Sequence, residues 1–189
     1  MTDDTVTRLE SALDQSDEKL ADDLPNLLES MEGRTEDLVR EHPAIFGRLV
    51  RRMETMDIAG FVDDHPEVAD QFQELLWTGM EVLVRESPEV QESIGEDITV
   101  NFRATDCEMD GHLTVDGDEQ VITGGAGLLD DPTLEIDGPA DVLVGLVTGS
   151  VDPIQGFLTQ QYQMDGPVQK GTRLAPIMND LADNIPQSG

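Results

Sequence analysis

Basic residues are scarce in this sequence, and cysteine and the large aromatics are scarcer still. Eleven Lys and Arg face 41 Asp and Glu over 189 residues, a formal net charge of −30. A field of that sign repels a phosphate backbone and excludes nucleic-acid binding driven by counterion release. It also disfavours peripheral docking on anionic lipid surfaces. The one cysteine, Cys107, excludes an internal disulfide framework and a Cys-rich metal site. Long apolar runs are missing too. Residues 142–147 are among the longest, far below the ~20 a membrane span needs, so no stable membrane insertion is expected. The acidic, polar start carries neither a signal nor a transit pattern, which makes the cytoplasm the expected location.

Few aromatics with high net charge is a signature of disorder. Here 38% hydrophobic content and clear periodicity predict a folded chain instead. The acids are dispersed from Asp3 to Asp183, and only two of the cations, Lys19 and Lys170, are lysines. This composition resembles that of proteins from extreme halophiles, the haloarchaea among them. In molar salt the Debye length falls to roughly 3 Å and self-repulsion is screened.

Residues 1–33 carry Val6, Leu9, Leu13, Leu20, Leu24, Leu27, Leu28 and Met31 at near-helical spacing, interrupted by Pro25 and ended by Gly33. Three helix starts follow at Glu41-His42-Pro43, Asp64-His65-Pro66 and Glu86-Ser87-Pro88, since proline is tolerated in a first turn. After Gly95 the period changes to two. Ile98, Val100, Phe102 and Ala104 predict a half-buried strand. Asp110-Gly111 marks a hairpin turn and Asp116-Gly117-Asp118 another, giving a three-strand antiparallel meander. Gly124-Gly125-Ala126-Gly127 reads as a loop, followed by a fourth strand at 133–137. Helices are expected after Gly138-Pro139 and Asp152-Pro153, then a fifth strand at 161–165 and a closing amphipathic helix through Leu174, Ile177, Met178 and Leu181. The expected fold is α+β: a five-stranded, mainly antiparallel sheet with helices on one face, preceded by an α-helical N-terminal region. The expected division is an acidic helical region, 1–68, and a second unit, 69–189, able to bury its own core.

The reactive side chains form no recognisable constellation. Asp106, Glu108, Asp110 and Gly111 imitate the start of a calcium loop, but Gly117 stands where the bidentate Glu belongs. The glycine run lacks dinucleotide-binding spacing and a phosphate-binding lysine. His42, His65 and His112 make no zinc pattern. Neighbouring acids should raise the Cys107 thiol pKa, the wrong direction for a nucleophile. No catalytic residue, metal site or cofactor is expected. Arg48, Arg51 and Arg52 form the one cationic cluster. It serves either the helix dipole and nearby acids or a protein partner of residues 1–68.

With the elements in order, residues 98–181 resemble the sterol-carrier-protein (type two) family of lipid-binding domains. The resemblance is carried by the stretch LEIDGPADVLVGLVTGSVDPIQGF at 134–157, by Tyr162-Gln163-Met164-Asp165-Gly166, and by the meander from Ile98. The helix from about Ala69 corresponds to the family's first. Gln160-Gln161 depart from the family's usual Gly-Lys. The resemblance implies a non-enzymatic carrier whose hydrophobic tunnel, between sheet and helices, takes a sterol-like, isoprenoid or acyl lipid. An archaeal source would favour the last two. The expected lining is Phe102, Leu143, Leu146, Val147, Ile154, Phe157, Leu158, Met164, Leu174, Ile177 and Met178. The alternative is an interaction module whose carrier-like scaffold has a filled core.

Overall fold

The computed structural model describes residues 3–186. Seven helices precede the first strand: α1 (Asp3–Leu13), α2 (Asp17–Met31), α3 (Thr35–Glu41), α4 (Pro43–Glu54), α5 (Ile58–Asp64), α6 (Pro66–Glu86) and α7 (Pro88–Ser93). Pro43, Pro66 and Pro88 each open a helix, as their spacing predicts. His42 and His65, each before a proline, are non-helical caps, the backbone that a following proline imposes.

Pro25 does not interrupt its helix. α2 runs through it, burying Leu20, Leu24, Leu27, Leu28 and Met31. An interior proline costs about 3 kcal/mol, whereas each of these five side chains gains roughly 1.5–3 kcal/mol by burial. The break falls at residues 14–16 instead. There Arg52 donates to the Leu13 and Gln15 carbonyls (2.7 and 2.9 Å) and to Asp17 (2.7 Å), and Arg48 pairs with Asp14 (2.6 Å). Arg51 donates to the Pro186 carbonyl at 2.8 Å. The cationic cluster therefore holds this chain's own segments together. The short helices α3 and α5 carry no periodic signal long enough to register in the sequence.

The sheet comprises β1 (Ile98–Ala104), β2 (Asp110–Asp116), β3 (Val121–Ala126), β4 (Leu134–Gly138) and β5 (Gln163–Asp165), in the order β3-β2-β1-β4-β5. Only β1 and β4 run parallel. Two turn expectations are corrected. Asp110-Gly111 lies within β2, paired with Arg103 and Phe102, and the turn falls at 105–109. Gly111 is needed because Gln73 occupies the space a Cβ would take, its Nε2 donating to the Asp110 carbonyl at 2.8 Å. Gly124-Gly125-Ala126 is strand, not loop. At Gly124 the indole of Trp77 lies directly on the backbone, so a Cβ would stand 2.7 Å from Trp77 Cγ.

Three helices complete the chain, with β5 between the second and third: α8 (Ala140–Thr148), α9 (Pro153–Leu158) and α10 (Val168–Asp183). Strand alternation puts Ile98, Val100, Phe102, Leu113, Val115, Ile122, Leu134 and Ile136 on one buried face. α6 packs on this face over β3, and α8 over β1 and β4. α8 is apolar apart from Asp141 in its first turn and Thr148 at its end, with seven of its nine residues buried. Such a helix needs partners on every side. The sheet supplies one, while α4, α5 and α10 supply the others. α6 is likewise covered by α2, α3 and α5 on the side away from β3. One contiguous apolar core thus runs from Val6 to Ile185, and residue 68 lies in the first turn of α6.

Candidate functional site

The site is the space where the sheet meets α6, α8 and α10. The aspartate run at 106–110 helps to build it: Asp106 Oδ1 accepts from the Ala140 amide at 2.9 Å, satisfying a free N–H at the start of α8. That fixes Leu143, Leu146 and Val147 facing inward, all nearly fully buried. Leu174, Ile177 and Met178 of α10 are buried too. Phe102 projects from the central strand β1, and Trp77 of α6 stacks on it with ring centroids 6.1 Å apart.

Two small apolar cavities lie either side of Phe102. The first, about 30 Å³, is lined by Phe72, Gln73, Leu76, Trp77, Met109, Leu143, Val144, Val147 and Phe102 itself. The second, also about 30 Å³, is lined by Phe102, Ile136, Leu146, Pro153, Tyr162, Met164, Gly171, Leu174, Ala175 and Met178. Each has room for a water or a methyl group, against the roughly 300–1,000 Å³ of a small-molecule pocket. A larger hollow, about 550 Å³ between α1 and α2, has Arg8, Asp23 and Asn26 in its wall and gives an apolar ligand little reason to leave water.

Of the expected lining, Leu143 and Val147 border the first cavity, Leu146, Met164, Leu174 and Met178 the second, and Phe102 both. Ile177 is buried but borders neither. The inward orientation expected for Ile154, Phe157 and Leu158 is corrected. They share one face of α9, and that face looks into solvent, at 52%, 39% and 70% exposure. The reason is length. α9 has six residues, and its only buried one is Gly156, which presses against Val151 and the Tyr162 ring. Residues sequence reasoning missed include Trp77, Tyr162 and Gly171. The lone tryptophan, at an i+5 step from Phe72, was the one available signal.

α9 is tethered by polar contacts. Asp152 Oδ1 accepts from the Gln155 amide at 2.8 Å, and the Tyr162 hydroxyl donates to the Pro153 carbonyl at 2.6 Å. Burial, with the nearby Asp152 charge, pushes the Tyr162 pKa up, so the donor keeps its proton. Gln160, just beyond α9, has a φ of +58°, a conformation costing a non-glycine residue roughly 1–2 kcal/mol. It is one of the two positions where the chain departs from the resemblance. Next to α9, α10 is anchored through Glu96, which accepts from both Lys170 and Arg173, while Lys170 also donates to the Asp97 carbonyl at 3.1 Å. These hydrogen bonds hold the Glu96 carboxyl below its usual pKa. Cys107 is raised, by burial first and then by Asp106, in the direction expected. Among the described residues no group of His, Cys, Asp and Glu could hold a metal.

No family model matches the chain, and no curated protein does. Solved structures are similar to it. A ubiquinone synthesis protein described as UbiJ-SCP2 is 13% identical, with a TM-score of 0.45, over 61% of this chain and 96% of its own. Sterol carrier protein 2 from Yarrowia lipolytica, in its apo form, is 16% identical, with a TM-score of 0.43, over 59% and 93%. The sec-alkylsulfatase Pisa1 from Pseudomonas sp. is 16% identical, with a TM-score of 0.43, over 94% of this chain but only 29% of the enzyme.

Proposed function

We propose that this protein binds the apolar chain of a lipid between its sheet and α8–α10 and carries it without chemical change. The observation that carries the reading is α9. This helix borders the second cavity through Pro153, next to Tyr162 in the same wall, yet keeps Ile154, Phe157 and Leu158 largely in water. Moving it aside costs the Tyr162–Pro153 hydrogen bond and the contact of Gly156 with the Tyr162 ring, but little burial of its own large apolar side chains. Behind it, Leu146, Met164, Leu174 and Met178 present a lining with no charged group. The two methionines can repack around a guest, because the thioether chain is unbranched and flexible. Rotation of Phe102 would join the two cavities into one channel. Burying a ~16-carbon chain gains about 13 kcal/mol gross. Association costs roughly 4–15 kcal/mol, so the affinity depends on how cheaply the space opens.

The lining offers no nucleophile or general base, and the only titratable side chain in it, Tyr162, has its hydroxyl engaged. A carrier needs neither. The test is uptake of a fluorescent fatty acid by the wild type and by Leu146→Trp. The indole would fill the second cavity, abolishing uptake while lowering stability by about 1–3 kcal/mol as an overpacked site. Ile177→Leu, buried outside both cavities, should bind as the wild type does. If the wild type takes up no acid, or Leu146→Trp takes it up equally well, the carrier reading fails. The two cavities are then packing voids, and the chain is an interaction module with a filled core.

A further inference from the structure

Gln73 and Trp77 stand four residues apart on one face of α6, and both border the first cavity. Each is more than nine-tenths buried, at 6% and 4% exposure. Each also has hydrogen-bonding capacity that the protein leaves unused. Gln73 donates through Nε2 to the Asp110 carbonyl, and the atom facing a carbonyl must be the nitrogen. Its Oε1 is therefore an acceptor, and it has no donor among the described residues. The Trp77 indole N–H is a donor with no acceptor among them; its ring stacks on Phe102. Among the described residues no fully buried side-chain polar atom lacks a partner. The slight exposure of Gln73 and Trp77 thus includes these two atoms. The remaining side chains around the cavity are all apolar.

From this pair we infer that the first cavity receives the hydroxyl group of an uncharged long-chain alcohol, which accepts from the Trp77 indole N–H and donates to Gln73 Oε1. The inference rests on the carrier reading and deepens it: the hydroxyl end lies beside α6, and the chain passes Phe102 into the second cavity. A hydroxyl both donates and accepts, as one unused acceptor and one unused donor require. An ionised carboxylate only accepts. It would set its charge against Gln73 Oε1 in a lining with no base, and burying an unpaired charge is costly. An ether can use Trp77 but leaves Gln73 Oε1 unpaired. Size points the same way. A space of about 30 Å³ holds one hydroxyl and is too small for a phosphate headgroup.

The experiment is displacement of a bound fluorescent fatty acid from the full-length protein, in molar KCl at neutral pH. The competitors are dodecanol, its methyl ether and dodecanoate, which share one chain and differ at the end. Dodecanol is expected to displace the probe with at least about tenfold higher affinity than either, since each alternative leaves a polar atom unpaired or buries a charge. In Gln73→Met, which keeps the length but not the acceptor, the alcohol's lead over the ether should disappear. That lead is a ratio of two ligands on one protein, so a general loss of stability does not move it. Should Gln73→Met fail to fold, the wild-type series decides alone. Equal displacement by alcohol and ether, a preference for dodecanoate, displacement by none of the three, or a folded Gln73→Met that keeps the alcohol's lead overturns the inference. Gln73 and Trp77 then hold a water. Failure of the carrier reading is distinguishable, because the wild type would take up no fluorescent acid to displace, and it removes this inference as well.

Discussion

Gly124→Val is expected to lose about 3 kcal/mol of stability, near the upper end for overpacked sites and a large part of a typical domain's 5–15 kcal/mol. A Cβ at this β3 position would stand 2.7 Å from Trp77 Cγ and 2.8 Å from the His112 carbonyl oxygen. Neither can yield. The carbonyl belongs to the neighbouring strand, and the indole is buried with Phe102 behind it. Gly125→Ala makes the matched control. Its Cβ would meet nothing closer than 3.4 Å, the distance to His112 Cε1 on the open face, so its effect should stay within about 0.5 kcal/mol. Urea midpoints for the two variants measure the difference. Equal midpoints would show that the Trp77 contact is not what holds α6 on the sheet.

Residues 69–189 expressed alone are expected not to fold, even in molar salt. The cut would fall after the first turn of α6 and strip α2, α3 and α5 from that helix, and α4 and α5 from α8. α8 would then turn toward water a face it buries in the full chain. Of its residues Leu143, Val144, Leu146 and Val147, none exceeds 4% exposure. The lost burial, at roughly 1.5–3 kcal/mol per large side chain over several side chains, exceeds a domain's usual margin. Circular dichroism and near-ultraviolet signals from Trp77 decide the matter. A fragment with the full chain's near-ultraviolet spectrum would establish 69–189 as a unit with its own core.

The periodic part of the fold was legible. Alternation at Ile98, Val100 and Phe102 gave β1, and the proline spacing gave the starts of α4, α6 and α7. What misled was local chemistry overruled by distant partners. Gly124 and Gly125 carry a turn signature, but they lie in a strand because Trp77, 47 positions earlier, needs a bare backbone to pack on. Pro25 carries a helix-breaking signature, but five buried side chains outweigh it. At the site, a resemblance and helical spacing brought Leu146, Met164, Leu174 and Met178 to one cavity. The same spacing put Ile154, Phe157 and Leu158 on a common face and could not say which way it turned. The aspect of α9 depends on Gly156 and Tyr162, a contact that no periodicity encodes. The largely apolar α8 did carry a signal for a third layer, since nine residues with one charged side chain and no polar stripe need cover on two sides.

The central claim is that an apolar chain occupies the space between the sheet and α8–α10. Native mass spectrometry of the full chain, purified in high salt without detergent, tests it most directly. The account predicts a fraction of molecules heavier by the mass of one lipid. Gentle activation should release that lipid, and Leu146→Trp should lack it. A single bare-chain mass, unchanged after incubation with fatty acids and isoprenoid lipids, would contradict the account.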